Sequence, residues 1–248
     1  MSNSLRYTLF FSTLYHAGYS IFTCDLPGHG NSDGERVFVQ GMENCVETIN
    51  SLTSIAYEKN ADANTLPFYL CGISFGGLLA CHVALSKIHK WDGVIALAPA
   101  LGIEMTPILR LQQCFLSLLL KMASHSRIVP AVRPCDLSKD PKVVEEYMTD
   151  PMNVTGNLKV QTVATIMKAM EDMSASSLDF KWPLLVLHGN MDKCTSDAAS
   201  EVFVKECAST DKTFEALEGV YHCVLHEPEK EMVMEKIVTW LKAHGKKE

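Results

Sequence analysis

Residues 68–77 read Phe68-Tyr69-Leu70-Cys71-Gly72-Ile73-Ser74-Phe75-Gly76-Gly77, and this stretch decides the fold. Phe68–Cys71 has the composition of a buried strand, and Leu78–Ser86 that of a helix. Gly-x-Ser-x-Gly between a strand and a helix is a nucleophile elbow, a turn that lifts the serine hydroxyl above the end of a sheet. A turn so tight predicts that the positions two before and two after the serine, Gly72 and Gly76, carry only hydrogen. It also sets the Phe75 amide at a helix N-terminus, where it would meet a developing oxyanion. The competing reading, a plain glycine-rich turn, does not account for the strand and helix on either side.

Outward from the elbow, short apolar runs alternate with helix-period segments. Tyr19–Cys24 reads as a buried strand and runs into a turn-rich loop, Asp25–Gly34. Met42, Val46, Ile49 and Ala56 recur at helical spacing and predict an amphipathic helix over Val39–Tyr57. Gly93–Ala98, Leu184–Leu187 and Thr213–Ala216 are further strands, and a terminal helix opens near Pro228 and runs toward Ala243. This alternation predicts a mostly parallel α/β sheet flanked by helices. Leu101–Asp179 breaks the rhythm. Thr106-Pro107 and Asp140-Pro141 each place a capping residue before proline at the first helical position, and the most apolar piece is Cys114–Leu120. The segment reads as an all-helical insertion that divides the core into residues 1–100 and 180–248.

A nucleophilic serine needs a base, and the base needs an orienting carboxylate. Leu184–Leu187 runs into His188-Gly189-Asn190-Met191-Asp192, and after the last strand comes Glu218-Gly219-Val220-Tyr221-His222. Ser74, Asp192 and His222, in that chain order and each just past a strand, form a candidate triad of the α/β-hydrolase order. His226 is an alternative base, placed where the terminal helix starts. His222, Cys223 and His226 imitate metal-ligand spacing, but no second cluster supplies further ligands, so neither metal nor cofactor is expected. His188 is read as packing beneath the site and His29 as turn chemistry, while Cys194 and Cys223 flank the proposed acid and base as thiols open to modification.

Composition bounds the rest. The chain has 248 residues, 47% of them hydrophobic and 21% charged, which is enough to bury a core and argues against disorder. A net charge of −7 argues against a nucleic-acid face. No apolar run approaches the ~20 residues of a membrane span. Nine cysteines with no Cys-x-x-Cys pair fit reduced thiols in a cytoplasmic protein. Tyr7–Phe11 after Arg6 is followed by no small-residue cleavage site of a secretory signal.

Together with Asp25-Leu26-Pro27-Gly28-His29-Gly30-Asn31-Ser32-Asp33-Gly34-Glu35-Arg36, Leu137-Ser138-Lys139-Asp140-Pro141, Asp211-Lys212-Thr213 and Tyr221-His222, these residues resemble the monoacylglycerol lipase (lysophospholipase-like) family of serine α/β-hydrolases. The resemblance runs from about Ser4 to the C-terminus. It implies a serine esterase of lipid metabolism that needs no cofactor and cleaves a monoacylglycerol or lysolipid through an acyl-enzyme. It also implies a helical cap over Leu101–Asp179, whose apolar piece lines an acyl tunnel or touches a membrane surface; plain packing of that piece on the sheet is the alternative. Ile73 stands where the family often has His or Glu. The family's first three strands and its His-Gly oxyanion loop find no counterpart ahead of Ser4, so an N-terminally truncated sheet is expected. The same triad would also serve an acyltransferase or small-ester esterase, and an impaired one would leave a hydrolase-like binding protein. Oligomeric state is not legible.

Overall fold

A computed structural model of the chain describes residues 4–60, 65–104, 107–130 and 132–245, and the side chains of these apart from residues 5 and 107–114. Before the insertion come α1 (Thr8–His16), α2 (Met42–Lys59), β1 (Tyr69–Ile73), α3 (Phe75–Ser86) and β2 (Gly93–Leu97). Within it lie α4 (Pro107–Ala123), β3 (Arg127–Val129), α5 (Pro141–Thr149), β4 (Leu158–Lys159) and α6 (Val160–Ala175). After it follow β5 (Leu184–Gly189), α7 (Asp197–Glu206), β6 (Lys212–Leu217) and α8 (Lys230–His244).

The principal sheet has the order β1-β2-β5-β6, and every pairing in it is parallel. Its central strands are buried on both faces, which is why Val94–Leu97 and Leu184–Leu187 read as unbroken apolar runs rather than alternating ones. Alternate side chains still go to opposite cores. Val94, Ala96, Leu184 and Val186 pack with Leu78, Leu79 and Val83 of α3. Ile95, Leu97, Leu185 and Leu187 pack with Val233 and Ile237 of α8 and with Phe10 and Leu14 of α1. Each such side chain removed from water contributes about 1.5–3 kcal/mol, so these two layers are what hold the sheet in place. The register aligns the strand ends that matter: Ile73 pairs with Leu97, Leu97 with Leu187, and Gly189 with Leu217. Ser74 and the loops carrying Asp192 and His222 therefore emerge from one edge of the sheet.

Three expectations need correction. Tyr19–Cys24 is not a strand. Its residues are half-buried or exposed, none of them buried, and among the described residues Ser20–Cys24 make no backbone–backbone hydrogen bond. A strand exists by pairing, and this segment has no ladder to join: it and β1 line the same hollow. Second, the insertion is not all helical, because β3 and β4 pair antiparallel within it. Third, Gly76 is not a crowded position; that point returns below. The helix start at Asp140-Pro141 is present, with the Lys142 amide donating to the Asp140 carboxylate at 2.9 Å. The one at Thr106 lies outside the described residues.

The insertion is pinned to the core at separate points. Ser138 Oγ donates to the fully buried Glu227 carboxylate just ahead of α8. Lys159 Nζ, itself buried, donates to Glu35 Oε1 and to the Arg36 carbonyl, both at 2.7 Å. Thr162 Oγ1 donates to the Val37 carbonyl at 2.8 Å and accepts from the Val39 amide at 3.1 Å. The loop between Asp25 and Val39 is thus held from above, while its own turns rest on Gly28, Gly30 and Gly34 at positive φ.

Candidate active site

The elbow is built from backbone first. Ser74 has φ 55° and ψ −119°, a conformation an L-residue keeps only when its surroundings enforce it. The Ser74 amide donates to the Leu97 carbonyl at 2.9 Å, and the Ala100 amide donates to the Ser74 carbonyl at 3.0 Å. The turn is therefore clamped on β2. The close approach falls on Gly72 and Gly77. A Cβ at Gly72 would lie 2.0 Å from the Gly76 carbonyl oxygen, and one at Gly77 would lie 2.8 Å from Pro99 Cβ. A Cβ at Gly76 would meet nothing within 4 Å among the described residues. The crowded positions are thus Gly72 and Gly77, and not Gly76. Phe75 is the first residue of α3, so its amide is among the donors a helix leaves without an intrahelical acceptor.

The three candidate side chains meet at this edge. Ser74 Oγ donates to His222 Nε2 at 2.9 Å, and His222 Nδ1 donates to Asp192 Oδ2 at 2.7 Å. The Asp192 side chain is fully buried, and His222 is nearly so. Asp192 Oδ1 accepts the Cys194 amide at 2.6 Å and the Thr195 amide at 3.1 Å. The second oxygen, Oδ2, also lies 2.9 Å from Thr195 Oγ1 and 3.1 Å from His188 Nε2. Burial alone would raise the Asp192 carboxyl. Hydrogen bonds from His188 and His222, the charge on His222 and the Cys194 amide outweigh it and hold the carboxyl well below the usual carboxylate range.

That shift has a sign. The group's ordinary value in an unfolded chain is about 4. Because the folded value is lower, its contribution to stability is complete above that point and is lost as the pH falls below it. Thermal unfolding should therefore show the wild type losing more stability between about pH 6 and about pH 3 than Asp192→Asn does. Equal losses in the two proteins would remove Asp192 from the acid limb.

His226, the alternative base, is elsewhere: its Nε2 lies 3.0 Å from the Arg6 carbonyl, and its ring meets Tyr7 edge-on. His29 is part of its turn, with Nδ1 3.0 Å from the Pro27 carbonyl. Cys194 and Cys223 stay thiols, because burial pushes both up, Cys223 to about 11. Among the described residues, the metal-type ligands gathered within 4.8 Å of one another are Asp192, Cys194 and His222, not the His222, Cys223 and His226 set that the spacing imitates. The residues missed from the sequence are Thr195 and, as a partner of Asp192, His188. The only signal for either was the spacing of His188 and Thr195 around Asp192.

Ser74, Phe75 and His222 open onto a hollow of about 1900 Å³. Leu116 and Leu119 of α4 and Ile166, Met167 and Met170 of α6 line it on the insertion side. On the other side it reaches Cys71, which is exposed along the wall of the hollow. Also on α4, Leu118 and Met122 are exposed, as is Phe115, which borders the hollow.

Comparison with known proteins places this arrangement. The profile of the family described as "Serine aminopeptidase, S33" matches residues 1–229. The chain belongs to that family. It is similar to the monoacylglycerol lipase of Mycolicibacterium smegmatis, 28% identical over 230 residues that cover 92% of this chain and 80% of the relative. The caffeoylshikimate esterase of Arabidopsis thaliana is also 28% identical, covering 93% of this chain and 71% of its own length. The crystal structure of the Paleococcus ferrophilus monoacylglycerol lipase superposes with a TM-score of 0.87 at 27% identity, over 98% of this chain and 91% of that one. The S33 chain is thus a serine hydrolase of the α/β-hydrolase fold. Among its described residues no helix is long and apolar enough to cross a membrane.

Proposed function

We propose that the protein hydrolyses the ester bond of a monoacylglycerol, releasing a fatty acid and glycerol. The observation that carries this is the 2.9 Å contact of Ser74 Oγ with His222 Nε2 at the mouth of a large hollow with apolar walls. The named relatives and the superposable lipase agree with it.

Ser74 Oγ attacks the ester carbonyl while its proton passes to His222 Nε2, and the carbonyl π electrons move onto oxygen. Asp192 holds the imidazole by Nδ1–H and stabilises the imidazolium, without taking the proton itself. The Phe75 amide, at the start of α3, donates to the oxyanion. As the tetrahedral species collapses, the C–O bond to glycerol breaks and His222 returns the proton to the departing alkoxide. Water then enters, gives its proton to His222 and attacks the acyl-Ser74 ester, and collapse frees the fatty acid with Ser74 reprotonated.

The insertion, residues 101–179, acts as the cap of the site, with Leu116, Leu119, Ile166 and Met170 along the acyl chain. Its exposed Phe115, Leu118 and Met122 face is the part suited to transient contact with a lipid surface from which substrate is drawn. An apolar wall of this kind discriminates only ~1–3 kcal/mol per methylene at most, so chain-length preference should be graded rather than sharp.

The test pairs a fluorophosphonate probe with two substrate classes. The wild type should label at Ser74 and release fatty acid and glycerol in equal amounts from monooleoylglycerol, and it should be slow on an amino-acid anilide. Cleavage of the anilide in preference to the glyceride would overturn the lipid reading. Folded protein that does not label would overturn the hydrolytic one.

A further inference from the structure

Asp192 is shared by two histidines, and only His222 is used above. His188 is the penultimate residue of β5 and is 0% exposed. Its Nε2 lies 3.1 Å from Asp192 Oδ2, the same oxygen that receives His222 Nδ1. Its Nδ1 lies 2.9 Å from the hydroxyl of Ser200, which is also 0% exposed and belongs to α7. A buried imidazole without partners would be an ordinary core residue. This one has a partner at each nitrogen, and one partner is the carboxylate that orients the base.

We propose that His188 is a positioning residue, which donates its Nε2–H to Asp192 and so fixes the carboxylate that fixes His222. The proton must sit on Nε2. Asp192 is held ionised, so an unprotonated Nε2 would set two lone pairs against each other across 3.1 Å between two buried side chains. Nδ1 is then an acceptor, and the Ser200 hydroxyl is its donor. Asp192 thus selects the tautomers of both histidines, Ser200 supplies the donor that the His188 tautomer needs at Nδ1, and His188 holds the angle of Asp192. The line runs from α7, through the end of β5, to the nucleophile just ahead of α3. The two backbone amides on Oδ1 fix one end of the carboxylate but leave rotation about its axis open. Donors on Oδ2 close that freedom, and they stay in place when His222 takes the serine proton and the ion pair forms.

The inference rests on the proposed hydrolytic role of Ser74, and its test separates the two. In His188→Leu a side chain of similar bulk loses the donor; in His188→Gln an amide N–H still reaches toward Oδ2; Ser200→Ala removes the tautomer's support. With a hydrogen bond to a buried charge lost, fluorophosphonate labelling of Ser74 and kcat on a soluble ester should fall about 10–100-fold in His188→Leu. KM should be unchanged, and thermal unfolding should show the variant folded. His188→Gln should recover most of the rate, and Ser200→Ala should fall between the two. His188→Leu labelling at the wild-type rate would overturn the proposal. So would His188→Gln falling as far as His188→Leu, since bulk rather than the N–H would then be what matters. A readout without turnover stands beside these: in ¹⁵N-histidine-labelled protein, the His188 proton should appear on Nε2, hydrogen-bonded and slow to exchange. A proton found on Nδ1 would refute the assignment even if Ser74 never labels.

Discussion

Ser74→Ala should leave a folded protein with kcat reduced about a millionfold, to the level that binding and oxyanion stabilisation alone provide. The fold should survive because the elbow's clamps are backbone groups: the Ser74 amide on Leu97 and its carbonyl under Ala100 are the same in alanine. Alanine also tolerates the positive φ no worse than serine does. What disappears is the single oxygen that His222 Nε2 holds at 2.9 Å. The measurement is glycerol release and fluorophosphonate labelling beside a thermal melt. Retention of more than about one part in a thousand of the activity would mean that another group is the nucleophile.

The second large effect divides the two glycines of the elbow motif. Gly72→Ala would drive a methyl to 2.0 Å from the Gly76 carbonyl oxygen and 2.7 Å from the Gly77 nitrogen. Both are backbone atoms of the first turn of α3, a helix buried against the sheet, so neither can retreat without moving the helix that carries the Phe75 amide. Overpacking against atoms that cannot give commonly costs 1–3 kcal/mol and sometimes more, so about 3 kcal/mol or greater is expected here. Activity should be lost with it. Gly76→Ala meets no atom within 4 Å among the described residues and replaces a helical glycine, so it should be neutral or stabilise by up to about 1 kcal/mol. Urea unfolding of the two variants side by side decides the matter. If they are equally destabilised, the crowding is not confined to Gly72.

What was legible in the sequence was whatever is settled locally. The elbow is a run of neighbours in the chain, and β2 and β5 announce themselves because burial on both faces leaves an unbroken apolar run. The order Ser74, Asp192, His222 could be read because each follows its own strand. The triad's geometry could not, because Ser74 and His222 come together only once β1, β2, β5 and β6 are in register. Tyr19–Cys24 misled for the converse reason: its β-branched and aromatic residues suit a strand, but pairing is a property of the neighbour and not of the segment. Gly77 was overlooked because its crowding comes from Pro99, beyond the following strand. The β3–β4 ribbon joins Arg127 to Lys159 through elements of three and two residues, too short to show any period. His188 stood in plain view, but its link to Asp192 depends on how the loop after β5 folds back.

The topology of the principal sheet also governs how the chain arrives at it. All its pairings are parallel, so no hairpin joins two of its strands and no part of it forms from adjacent residues alone. β2 finds β5 only across the entire intervening segment, residues 98–183. Closing so long a loop adds little to the equilibrium cost, since each doubling of length adds only about 0.6 kcal/mol. It lengthens the search. Until that pairing forms, Val94–Leu97 and Leu184–Leu187 are sticky stretches waiting for each other, and refolding yield should depend on how dilute the chains are while they wait.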